Sequence, residues 1–203
     1  PETVNRHLSR LGRHCLLFHW QKMQHQKPPT AVVIDGFESF EYSQYHPYHL
    51  HLALDKVSTF IPYFTDSEVR RSGRMTPQQK KKRQAIEKKM GRPDPQAVRK
   101  DVRELVDVVS ADQTEITFYS DEHSDYRWAM RGLRCRFRHI VTNSKEYRNY
   151  CNRLFEINLL DLLIRHAGAD HKRETIAYAK RRQAGVWRLM IFVVWRNYVR
   201  PKR

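Results

Sequence analysis

The sequence predicts an α/β domain: a mixed sheet flanked by helices, with a basic helical insertion and an N-terminal helix. Three observations carry this. Apolar residues make up 40% of the 203 and charged residues 30%, enough apolar material for a packed core and far from the composition of a disordered chain. Short β-rich runs alternate with longer runs of helical period, in the order three strands, helix, strand, helix, strand, long helices. A stretch at 65–97 is poor in apolar residues and crowded with cations, which marks it as an insertion in that pattern.

The first element runs from Val4 to Trp20, where Val4, Leu8, Leu11, Cys15 and Leu16 recur at helical spacing and Arg6, His7, Arg10 and Arg13 fill other positions. It reads either as the recognition helix of a helix-turn-helix or as a connecting helix with a solvated face. Lys27-Pro28-Pro29 stops it. Ala31-Val32-Val33-Ile34-Asp35 is an apolar run ending in an acid, the pattern of a fully buried strand. Leu50, Leu52 and Leu54 alternate with His49, His51 and Ala53, as a half-buried strand would, and Thr59 to Phe64 supplies a third strand of an antiparallel meander.

Inside the basic stretch lies a clean helix start. Thr76 stands at the N-cap, Pro77 at the first helical position, Gln79 completes a capping box and Gly91 ends the helix. This charged insertion, with Lys80, Lys81, Lys82 and Arg83, is either a nucleic-acid clamp or a solvated surface hairpin. Asp94-Pro95 opens another helix, in which Val98, Val102, Leu105 and Val109 form a face able to cover a sheet. Thr114 to Tyr119 reads as a strand ending at Ser120-Asp121, Arg127 to Leu133 as a helix, and Arg138 to Val141 as a short strand. From Arg153 the chain is helical almost to its end, with a boundary near Gly168.

Lys and Arg number 38 against 22 Asp and Glu, a formal net charge of +16. A charge that large points to a polyanion, most commonly nucleic acid. Cys15, Cys135 and Cys151 read as free thiols of a reducing compartment. The longest apolar run, around Val186 to Trp195, is interrupted by Arg188 and too short to cross a bilayer, so no membrane is expected, and no signal peptide opens the chain. The start at Pro1, without Met and directly in helical sequence, suggests a fragment with sequence missing upstream.

Two acids share one setting. Asp35 closes the first strand and Asp121 the later one, and neighbouring strands would bring both carboxylates together. Like charges beside apolar strands repel, and a divalent cation removes the repulsion. Hard oxygen donors without a Cys partner suit Mg²⁺ or Mn²⁺. The alternative is that each Asp caps its next turn. Further on, Asn158, Asp161 and Arg165 share one helix face opposite Leu159, Leu160, Leu163 and Ile164. Asp161 would complete the carboxylate cluster, with Glu156 as a competing third acid, while Asn158 would orient water or phosphate and Arg165 contact a phosphate. An Asp161–Arg165 helical ion pair is the plainer explanation.

The ordered set Val33-Ile34-Asp35, Ser120-Asp121-Glu122-His123 with Tyr126, His139-Ile140-Val141-Thr142 and Asn158-x-x-Asp161 resembles the DDE/DDD transposases of bacterial insertion sequences. The likeness extends through Asn158 to His166, Lys172 to Ala177 and Val194 to Tyr198, and spans roughly residues 30 to 199. It implies a ribonuclease-H-like catalytic domain over 30–203, with the insertion at 65–97, preceded by a 1–29 segment that ends a helix-turn-helix DNA-binding module. It implies that Asp35, Asp121 and Asp161 are the catalytic, metal-binding acids, and that His139 sits near the scissile phosphate. Many relatives carry Glu where Asp161 stands, so the shorter Asp requires a closer helix or a substitute in Glu156.

The activity so implied is metal-dependent cleavage of DNA strands and their transfer to a target. Two ions, Mg²⁺ or Mn²⁺, would hold one phosphate, one activating a water or 3′-hydroxyl and the other the leaving oxygen. The partners would be double-stranded DNA, as element ends and target, and further copies of the chain in a homodimer or higher oligomer, within the bacterial cytoplasm at the nucleoid. The alternative is a catalytically inactive, transposase-derived nucleic-acid-binding protein. No Gly-rich phosphate loop and no nucleophile elbow supports nucleotide hydrolysis or esterase chemistry. Cys135, His139 and Cys151 lack zinc-site spacing, and His49 with His51 is a possible metal pair better read as hydrogen-bonded. Phe37, Phe40, Tyr42, Tyr45 and Tyr48 would stack on bases or pack in the core. The apolar face of Trp187, Met190, Ile191, Val194 and Trp195 would cover the sheet or join two subunits.

Overall fold

The computed structural model describes residues 2–172 and 179–200. Five strands form one mixed sheet in the order β3-β2-β1-β4-β5. β1 (Ala31–Phe40), β2 (Pro47–Asp55) and β3 (Phe64–Glu68) make the antiparallel meander, while β4 (Glu115–Ser120) and β5 (Arg136–Val141) run parallel to β1 on its other side. The architecture is α/β and is compatible with a ribonuclease-H-like fold.

The alternation of β1 sorts its side chains between two cores. Val33 and Phe37 point to a layer built from α1 (Glu2–Met23), α5 (Phe155–Ala167) and α6 (Arg182–Val194). Val32 and Ile34 point to the layer of α3 (Ala97–Ser110) and α4 (Ser124–Ala129), where Val102, Leu105, Val106 and Val109 supply the apolar face expected of that helix. Asp35, two residues from both Val33 and Phe37, therefore stands on the α5 side.

Several boundaries differ from the sequence reading. β1 continues five residues beyond Asp35, because it keeps pairing with β2 as far as Phe40↔Pro47 after β4 has ended. β2 is buried on both faces rather than half-buried, with His51 and Ala53 as enclosed as Leu50, Leu52 and Leu54, since it lies between β1 and β3 with helices on either side. The third strand falls at Phe64–Glu68 and not Thr59–Phe64. The Asp55 carboxylate accepts from the Val57 amide at 3.1 Å and Thr59 sits at φ 57°, so that stretch is a turn. The basic insertion consequently starts after β3, not at residue 65. α4 begins and ends earlier than the expected Arg127–Leu133.

α2 (Pro77–Met90) has the capping box read from the sequence: Gln79 N–H donates to Thr76 Oγ1 at 3.2 Å, and Thr76 N–H donates to Gln79 Oε1 at 3.0 Å. None of its residues is buried. It is tied down by Arg70, which forms a two-pronged pair with Glu87 at 2.7 and 2.9 Å, and by Arg83, which donates to the Arg71 carbonyl at 3.0 Å.

α1 is part of the same packed unit as the sheet, so residue 29 is no packing boundary. Gly12 lets α1 meet α6 closely; a Cβ there would lie 2.5 Å from Trp187 Cβ. Cys15 joins the main core, and His19 bonds the Pro62 carbonyl at 2.9 Å and the Tyr198 hydroxyl at 3.0 Å. Of the α6 face expected to cover the sheet or a second subunit, Met190 is buried in the core and Ile191 and Val194 are partly buried against it, while Trp195 is exposed; the fully buried contacts come instead from Leu189, Met190 and Val193. Among the described residues no helix is long and apolar enough to cross a membrane.

Candidate active site

The register of β1 and β4 builds the site. Val33 pairs with Tyr119 in parallel, and two steps further along both strands stand Asp35 and Asp121, where the two backbones part. Asp121 shares the face of Thr117 and Tyr119, as Asp35 shares that of Val33, so both carboxylates leave the sheet toward α5. α5 brings Asn158 and Asp161, one turn apart, to the same place. A cavity of about 220 Å³ is lined by all three acids and Asn158, and it is overwhelmingly polar in its chemistry.

The environment of Asp35 is the clearest sign of electrostatic stress. Its carboxyl is pushed up to about 6, chiefly by burial and further by the charge of Asp121, against a 2.7 Å bond from the Gly36 amide and the positive field of Arg148. Asp121 accepts from the His123 amide at 3.0 Å, the turn-capping role that was the plainer sequence alternative. Under the acids lies Tyr126, whose hydroxyl is held well above its ordinary range by burial and then by the charges of Asp35, Asp121 and Asp161. A phenol kept neutral there adds no further negative charge.

The other expected residues are distributed as follows. Glu156 faces away to Lys56, 2.5 Å distant, and does not line the cavity, so Asp161 is the acid that α5 contributes. Asn158 lines the cavity while donating to the Leu154 carbonyl at 2.8 Å. Arg165, a turn beyond Asp161, donates to the His171 carbonyl at 2.9 Å and lies over the Phe37 ring. His139 is bound to Ser120 Oγ at 2.8 Å and does not line the cavity; burial lowers its basicity. Lys80, Lys81 and Lys82 are exposed on α2, and Arg6, Arg10 and Arg13 are exposed on α1. His49 and His51 do not form a metal pair: His51 is buried and bonds Ser67 Oγ at 3.0 Å, while His49 lies 3.7 Å from Glu38. Tyr48 and Phe37 are core residues, and Tyr45 lies under Arg71 and Lys82. The Arg173 to Ala177 part of the expected C-terminal motif lies outside the described residues.

Sequence reading missed one wall of the site. The segment between β5 and α5 contributes Asn143, Ser144, Glu146, Arg148 and Asn152 to the cavity. The available signal was positional, since a polar loop after the carboxyl end of a parallel strand is where α/β sheets place their ligands.

As a metal centre the donor set fits in kind: three carboxylates with Glu146 beside them, all hard oxygen, no thiol and no imidazole. It does not close as positioned, for among the described residues no group of three His, Cys, Asp or Glu side chains converges on a single point able to hold an ion.

No protein-family model matches the chain, and no curated protein matches it. Among solved structures the chain is similar to one described as the cryo-EM structure of the simian T-cell lymphotropic virus intasome in complex with PP2A regulatory subunit B56 gamma. Identity is 13% and the TM-score 0.32, and the match covers 88% of this chain and 58% of the other. The chain thus spans somewhat over half the length of that neighbour.

Proposed function

We propose that this chain is a metal-dependent DNA strand transferase of the transposase kind, acting at Asp35, Asp121 and Asp161. The observation that carries the reading is that three acids, from β1, the end of β4 and α5, line one polar cavity where the parallel pairing of β1 with β4 ends. A divalent cation, Mg²⁺ or Mn²⁺, with two ions expected, would offset their repulsion and supply Lewis-acid polarisation of a phosphodiester. Asp35, Asp121 and Asp161 would hold it.

The remaining chemistry belongs to the protein. Asp35 and Asp121, opposite one another on adjacent strands, fix the spot where negative charge is best offset by a cation. Arg148 at the rim offers the phosphate a guanidinium. Asn158, anchored through its side-chain nitrogen to the Leu154 carbonyl, would present its side-chain oxygen to accept a bond from an attacking water or 3′-hydroxyl. No covalent protein nucleophile is needed. The substrates would be element ends and a target duplex in the bacterial cytoplasm, handled by two or more copies of the chain.

The test is cleavage of an end-containing duplex and its joining to target DNA with Mg²⁺ or Mn²⁺. Asp35→Asn, Asp121→Asn and Asp161→Asn are each expected to abolish both products while duplex binding persists. Three variants that all still cut would remove these residues from the site. A second reading, a nucleic-acid-binding protein without catalysis, is favoured by the failure of three acids to close on one point. It is the outcome if the unaltered chain binds DNA yet produces neither cut nor joined product with either ion.

A further inference from the structure

A cleft of about 800 Å³, larger than the acid site, opens between α1 and the start of α6. Its walls carry Arg6, Arg10 and Arg13 from one side and Lys180, Arg181 and Arg188 from the other. Two acids, Glu2 and Asp170, also line it, and both are occupied: Glu2 lies 3.2 Å from Arg6, and Asp170 is paired with Arg188. Arg10, Arg13, Lys180 and Arg181 are exposed and have no acidic partner among the described residues.

Four cations without an acidic partner among the described residues face one groove and repel each other, and an external polyanion relieves that repulsion. Arg6, Arg10 and Arg13 stand at i, i+4 and i+7, so they form one row along a rigid helix. That row is about 10 Å long at 1.5 Å per residue, the span of about three successive phosphates of a duplex strand. Trp187, the one aromatic residue lining the cleft among the described residues, is half-buried against Gly12, so this part of the groove suits a backbone rather than stacked bases.

The cleft is also connected to the acid site. Ser39 of β1 donates to the Asp170 carbonyl, and Asp170 pairs with Arg188 of α6. Ser39 lies on the same face of β1 as Asp35, four residues on, or about 13 Å along the strand.

We propose that the α1/α6 cleft grips the phosphodiester backbone of duplex DNA flanking the phosphate presented to Asp35, Asp121 and Asp161. The inference rests on the nucleic-acid reading above, but not on catalysis. It replaces a helix-turn-helix tail with a clamp belonging to the folded domain, and it adds Lys180 and Arg181 to the binding residues.

The experiment is binding of the full chain to a fluorescent duplex of about thirty base pairs, by anisotropy, over a series of NaCl concentrations. The expected result for the Arg10→Gln, Arg13→Gln, Arg181→Gln triple variant is a shallower log K against log[NaCl] slope, by about 0.9 for each phosphate no longer neutralised and so by about two to three in all. The corresponding triple Lys variant, which keeps the charge, retains the slope. Circular dichroism melting monitors folding; if the triple Gln variant does not fold, Arg10→Gln and Arg181→Gln alone each lower the slope by about 0.9. An unchanged slope in a folded Gln variant overturns the clamp even if the chain cuts DNA. A lowered slope in a chain that never cuts upholds the clamp and sinks the catalytic reading. Binding of a polyglutamate peptide in preference to the duplex overturns the clamp as well.

Discussion

Asp35 holds its charge against its surroundings, and that has a consequence for the fold that needs no metal to observe. With its carboxyl raised to about 6 by burial, the folded chain keeps a proton there that the unfolded chain has already lost above about pH 4. His51 and His171 run the other way: burial lowers them to about 3 and about 4, so between pH 4 and 6 the unfolded chain binds protons that the folded one refuses. Stability changes with pH as the protons bound unfolded minus those bound folded. The two histidines thus make stability rise with pH across this window, and Asp35 works against that rise. Asp35→Asn removes the opposition, so the expected outcome is a steeper rise, by up to about 1.4 kcal/mol per pH unit, in denaturant melts between pH 4 and 6. Parallel profiles for the variant and the unaltered chain would show that Asp35 is not protonated in this window. The acids themselves were legible in the sequence, because an Asp closing an apolar run is costly unless something offsets it. Glu146 and Arg148 were not, because a loop has no period to set a side chain's direction and only the folded backbone aims it.

At the scale of the element, α2 shows what local rules deliver and where they stop. Thr76, Pro77 and Gln79 specify its start through bonds within four residues, so the capping box was legible in full. Its anchorage was not, because Arg70 and Glu87 are brought together only by the turn back from β3. The same limit explains β2: the alternation of Leu50, Leu52 and Leu54 was visible, but burial of His51 follows from its Ser67 partner on β3, sixteen residues away. The structure narrows the test of the insertion. Arg83 is engaged with Glu87 at 3.4 Å and the Arg71 carbonyl, so its removal would loosen α2 as well as change charge. Lys80, Lys81 and Lys82 are exposed, with Lys82 resting over Tyr45. Replacing these three by Gln is expected to lower the salt slope of duplex binding by about 0.9 for every phosphate that a lysine had neutralised, with the melting temperature preserved. An unchanged slope would make α2 a solvated surface hairpin.

For the molecule as a whole, the question is what α1 does. Its arginines invited a division at residue 29, and amphipathic period alone could not decide it, since a helix that docks on its own domain and one that docks elsewhere show the same stripe. The long-range packing decides it. Gly12 admits the Trp187 side chain, Cys15 enters the core with Leu189 and Met190, and His19 bridges the Pro62 carbonyl to Tyr198 near the other end of the chain. Asn197 closes the same region by exchanging two bonds with the Ile61 backbone, at 3.1 and 2.9 Å. Removing α1 would uncover the outer side of α6 and leave buried groups of the Pro62 loop without a partner. Exposed apolar area costs on the order of 25 cal/mol per Å², so such a loss is several kcal/mol against a total stability of roughly 5–15 kcal/mol for an ordinary domain. A chain beginning at residue 30 is therefore expected to lose cooperative thermal unfolding and the near-ultraviolet circular dichroism of Trp187, which packs against Gly12 of α1. Should it melt cooperatively within a few degrees of the full chain, α1 would be an appendage after all. The cleft it forms with α6 would then be incidental to the fold, and its arginines would be free to act elsewhere.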